Sequence, residues 1–118
     1  MTPIGGSDNA RHCTRLPSVA APATQHRATG AALVASTHRL AVDELVEFDD
    51  NVLGEEVMAV LEGRIDVVAA GEHYVLSAGE AILVPPSEAR RYRCLSPTGI
   101  VYRVTCSPGA PGEAESQS

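Results

Sequence analysis

The sequence predicts an all-β fold, a sandwich or barrel of short strands. Three observations carry this expectation. From Glu56 onward the chain breaks into short runs rich in Val, Ile and Tyr. Each run is closed by Gly, Pro or Ser, at Gly63, Gly71, Gly79, Pro85-Pro86 and Pro97. Turn signals recur every eight residues or so, the spacing of a β-meander rather than of a helical domain.

The elements follow in order. Ala31 to Ser36 (AALVAS) is a short apolar run that reads as a strand. His38 to Phe48 (HRLAVDELVEF) fits neither the helical nor the strand period cleanly. Asp43-Glu44 allows a turn between two strands, and a short helix is the competing reading. VMAVLEG and RIDVVAAG form the next pair of strands, followed by EHYVLSAG and EAILVPPS. Proline cannot donate to a strand ladder, so Pro85 and Pro86 mark a strand end. ARRYRCLSP and TGIVYRVTCSP complete the series.

The 118 residues fit one domain. Residues 1–30 are rich in Gly, Pro, Ala, Thr and Ser and read as a flexible N-terminal segment. Residues 31–107 are the expected barrel. Residues 108–118 (PGAPGEAESQS) read as a disordered tail. So small a core buries a modest share of its surface, which makes a homodimer the expected state.

Net charge is −6, and all nine basic residues are arginine. Acids cluster between Asp43 and Glu56, most simply a solvated loop and strand edge. Phosphate neutralisation dominates nucleic-acid affinity, so an acidic chain with this little exposed cation is not expected to bind nucleic acid. No run of about 18 apolar residues suggests a membrane span, and no secretory signal is visible. Cys13, Cys94 and Cys106 show no zinc spacing. A cytoplasmic, reduced protein is expected.

The stretch from Glu56 to about Cys94 resembles the cupin family. Its two motifs are G(X)5HXH(X)3-4E(X)6G and G(X)5PXG(X)2H(X)3N. Gly79, five residues and then Pro85 match the second motif, while its later glycine, histidine and asparagine fall on Ser87, Arg90 and Cys94. Glu56, six residues and then Gly63 match the end of the first motif. Its histidine pair falls on Asp49-Asp50-Asn51 or Asp50-Asn51-Val52, so neither spacing finds a histidine. The resemblance implies a single jelly-roll barrel around an interior cavity. In the family, three histidines and the glutamate hold one metal.

Those substitutions change the chemistry. Of the four ligand positions Glu56 is kept, and Asp49 could supply an oxygen. Arg90 is a permanent cation with no lone pair to donate, so a bound metal is not expected. An interior arginine needs a counter-charge, and Glu56 is its natural partner. Two placements stay open. Arg90, Tyr92 and Cys94 share strand parity, which favours an inward Arg90 beside Glu56 and Met58. The short loop before Arg90 favours an outward one, with the cavity filled by Met58, Val60, Ile82 and Tyr92.

The candidate ligand-binding residues are therefore Glu56, Met58, Arg90, Tyr92, Cys94 and Asp49. His38 and His73 are the other interior candidates, and a surface or hydrogen-bonded role is the more ordinary one for each. Tyr74 has the opposite parity to His73, so one of the two is expected to point inward. Cys94 most simply is a small buried hydrophobe. Three functions compete. A cupin without metal or other cofactor, binding a small molecule, an anionic one included, comes first. A metal-independent isomerase, dehydratase or cyclase using Glu56, Tyr92 and His73 comes second, with a metal-binding cupin of atypical ligands beside it. A structural role with a filled barrel comes third.

Overall fold

The computed structural model describes residues 13–20, 22–48 and 54–106. The secondary structure among them is nine strands, β1 Gln25–Thr29, β2 Leu33–Ala41, β3 Leu45–Phe48, β4 Glu56–Glu62, β5 Arg64–Ala69, β6 Glu72–Ser77, β7 Ala81–Val84, β8 Arg90–Cys94 and β9 Thr98–Cys106. They form a five-stranded sheet, β1-β2-β9-β4-β7, facing a four-stranded sheet, β3-β8-β5-β6. All pairings are antiparallel. This is the jelly-roll barrel that the strand series and the motif skeleton predict.

The ambiguous stretch 38–48 is strand, turn, strand. Asp43 takes a positive φ of 65° in the turn, which Asp tolerates better than most residues. β1 lies inside the segment read from sequence as an N-terminal tail. Its alternation of His26 and Ala28 with polar neighbours is too weakly apolar to stand out, but it pairs with β2 from Gln25↔His38 to Thr29↔Val34.

Two turns show why the chain folds where it does. β5 and β6 are joined by Ala70-Gly71, both at positive φ (53° and 72°), the two-residue hairpin whose twist matches its strands. After β7, Ser87 stands at φ 62°. That left-handed conformation is one glycine adopts without penalty, at the position where the cupin motif has a glycine.

The core lies between the sheets. Leu40, Met58, Val60, Ile65, Val67, Tyr92, Cys94 and Val101 form one buried cluster, with Val46, Phe48, Leu76 and Ile82 packed against it. Strand alternation sends Gly99, Val101, Arg103 and Thr105 of β9 inward. The apolar residues Ile100, Tyr102 and Val104 therefore lie on the outer face of the larger sheet.

Candidate functional site: a buried two-arginine, one-glutamate centre

Glu56 opens β4 and is nearly inaccessible. Its register partner on β9 is Thr105, and Arg103 lies two residues along the same inner face. From the facing sheet, β8 brings in Arg90 and Tyr92, which alternation places on the inner side. Five donors converge on this one carboxylate. Oε1 accepts from Arg90 Nη1 (3.1 Å), Arg103 Nη2 (2.6 Å) and Thr105 Oγ1 (3.0 Å). Oε2 accepts from Tyr92 Oη (2.5 Å) and Arg103 Nε (2.9 Å).

The two arginines differ in setting. Arg90 has 0% side-chain exposure. Besides Glu56 it donates to three carbonyls, Glu88 O (2.8 Å), Pro85 O (3.0 Å) and Gly54 O (3.3 Å). It thus ties the β7–β8 loop to the start of β4. Arg103 is buried too, though less completely, with 9% side-chain exposure. Its guanidinium carbon lies 3.6 Å from the centroid of the Phe48 ring, a cation–π contact. Phe48 in turn packs on Tyr92 and on His38, with centroids 6.0 and 6.1 Å apart.

The electrostatics follow from these contacts. Burial alone would raise the Glu56 carboxyl, but the Arg103 hydrogen bonds and charge, the Tyr92 hydrogen bond and the Arg90 charge hold it below its ordinary value. It is a carboxylate at neutral pH. Burial first, then the Glu56 charge and hydrogen bond, push the Tyr92 phenol well up, so it stays a donor. His38 is lowered to about 4, chiefly by burial and next by the Arg103 charge. Its Nε2 lies 3.0 Å from Ser36 Oγ.

The sequence candidates therefore divide. Glu56, Arg90 and Tyr92 meet in one cluster, and Arg90 takes the inward of its two placements. Met58 is buried in the core beside them. Cys94 is buried too, but its Sγ sits 3.3 Å from Ser96 O and takes no part in the charged cluster. Asp49 lies outside the described residues. Of His73 and Tyr74, register puts Tyr74 on the inner face, opposite Val67, and His73 on the outer face; β6 is an edge strand, so both side chains are exposed, and His73 Nε2 bonds Asp66. Arg103 and Thr105 were missed. In TGIVYRVTC the apolar set Ile100, Tyr102, Val104 competes with Val101 for the core, and the alternation alone favours the wrong face. The signal that could have found Arg103 is its shared parity with Val101 and Gly99.

A divalent metal does not fit this centre. Both Glu56 oxygens are engaged by donors, and guanidinium groups stand where neutral ligands would have to. Among the described residues no three His, Cys, Asp or Glu side chains converge as a metal site requires. The positions aligned with the family's histidine pair, Asp49 to Val52, lie outside the described residues.

Two facing antiparallel sheets with this turn skeleton define a jelly-roll barrel. The cupin domain model matches residues 53–105, and the chain carries a small domain of the cupin superfamily. Solved structures share this fold. KdgF from Halomonas sp. aligns at TM-score 0.60 and 19% identity over 84% of this chain and 91% of that one. An RmlC-like cupin from Shewanella frigidimarina aligns at TM-score 0.62 and 19% identity over 83% and 89%. The cupin domain of an XRE-family transcriptional regulator from Enterobacter cloacae aligns at TM-score 0.59 and 19% identity over 64% and 82%. No curated protein sequence matches the chain. Identities this low establish the fold alone.

Proposed function

We propose that this chain is a cupin-type binding module that takes a small organic anion without a metal. One observation carries the reading: among the described residues, the barrel interior holds two guanidinium groups against one carboxylate, with His38 neutral. Arg90 is engaged on all three nitrogens by Glu56 and backbone carbonyls. Arg103 is the partly accessible member, and its Nη1 makes no hydrogen bond among the described residues. A carboxylate ligand would meet Arg103 beside the half-buried Phe48, a polar group among apolar walls such as small-ligand sites use.

The acid–base chemistry favours binding over catalysis. Glu56 is held ionised, Tyr92 protonated and His38 neutral, so none of the three is poised near neutral pH as a general acid or base should be. We propose further that the chain is a homodimer. Val57, Leu83 and Leu33 are exposed apolar residues on the outer face of the larger sheet, and so large an apolar face invites a partner. The free cysteines fit a reducing, cytoplasmic setting.

The test is calorimetric titration with small mono- and dicarboxylates, for wild type and Arg103→Gln. Saturable binding of a carboxylate that weakens at least tenfold in Arg103→Gln supports the reading. Binding that is equal in the two proteins, or confined to cations and neutral molecules, contradicts it.

A further inference from the structure

We infer that the outer face of the larger sheet carries a second binding site, for a small and largely apolar neutral molecule with one hydroxyl or carbonyl oxygen. A groove of about 420 Å³ lies there, away from the charged centre. One wall is the segment before β1, through Leu16, Pro17 and Val19. The floor is the sheet, through Leu61, Ile100 and Tyr102. The volume falls within the range of small-molecule sites.

Three features make this a built groove. The first is the wall. Val19 is buried, and Arg39 anchors the chain just beyond it, donating from Nε to Ala23 O (3.1 Å) and from its backbone N to Thr24 O (2.9 Å). The second is a register shift in the β4–β9 ladder between Val60 and Glu62. The extra residue is Leu61, whose side chain is 54% exposed and lines the groove. Bulges re-aim a side chain in this way.

The third feature names the ligand chemistry. Thr37 lines the groove and is 6% exposed, yet its Oγ1 has no hydrogen-bond partner among the described residues. A buried hydroxyl without a partner is costly, and a ligand oxygen would satisfy it. Among the described residues no charged side chain lines the groove, which favours a neutral ligand. Thr37 pairs with Tyr102, and its neighbours Ser36 and His38 face the interior. Strand alternation therefore puts this site across the sheet from the arginine pair, independent of it. The exposed Val57 and Leu83 are paired with each other and lie towards the start of β4, whereas Leu61 is near its end.

The probe is 1-octanol, titrated into the full chain while amide ¹H–¹⁵N signals are followed. Expected are saturable shifts at Leu61, Ile100 and Tyr102, with affinity about tenfold weaker in Thr37→Val, where the hydrogen bond is lost at equal volume. Thr37→Val should melt at or above the wild-type temperature, because an unpartnered buried hydroxyl is removed. Leu61→Trp, filling the groove from an exposed position, should abolish the shifts. Absence of saturable shifts at these amides, or equal affinity in Thr37→Val, overturns the inference. So do shifts that track protein concentration rather than octanol, which would place a second copy of the chain in the groove.

Discussion

Arg103 grips Glu56 with two nitrogens, Nε to Oε2 at 2.9 Å and Nη2 to Oε1 at 2.6 Å, from the neighbouring strand of the same sheet. Such a fork fixes both partners in plane and is stronger than a single contact. Arg90 completes the pair from the opposite sheet, so the carboxylate joins the two layers of the barrel.

That arrangement makes Glu56 the costly residue to remove. Glu56→Ala leaves two buried guanidinium groups without their counter-charge, and such a loss costs about 3–5 kcal/mol. Urea unfolding should show a midpoint lowered accordingly. A loss below about 1 kcal/mol would mean that the arginines are compensated elsewhere.

Ser87 offers the opposite test. A non-glycine residue at φ 62° carries backbone strain of about 1 kcal/mol, part of which glycine gives back through unfolded-state entropy. Ser87→Gly should be neutral or stabilising by up to about 1 kcal/mol in thermal melts. Ser87→Val should destabilise, since a β-branched side chain resists that conformation. Equal melting temperatures for the two variants would contradict this account of the loop.

Acid should weaken the fold in two stages. His38 is about 4 when folded and 6.5 when unfolded, so the unfolded chain takes up the proton first. Its contribution to stability is intact above pH 6.5 and declines as pH falls towards 4. Glu56, with a folded value below its ordinary 4.5, adds a second loss below that pH. His38→Gln should flatten the decline between pH 6.5 and 4 in chemical denaturation and leave the lower one. A wild-type stability constant from pH 7 to 4.5 would contradict the assignment.

The fold was legible because turn chemistry is local. Gly63, Gly71, Gly79 and the Pro85-Pro86 pair announce where strands end, and the strands followed. Tyr92 was legible as inward by parity once a strand was placed under it, whereas for Arg90 parity favoured the inward placement and the short loop before it the outward one, so both stayed open. Arg103 was not legible, because the outer face of β9, with Ile100, Tyr102 and Val104, is more apolar than the inner one. Which face turns inward is decided by Glu56 on β4, a pairing between residues 47 positions apart that no local pattern encodes. β1 was missed for a related reason. Its strand character comes from pairing with β2, and four of its five side chains are polar.

A carboxylate closed off by Arg90 and Arg103 has no oxygen free to hold a metal. Elemental mass spectrometry of the untagged protein, expressed in metal-replete medium, tests it most directly. Transition metal well below one equivalent per chain is the expected result. One equivalent of a tightly held transition metal would contradict it, because Glu56 could not then be closed off by Arg90 and Arg103.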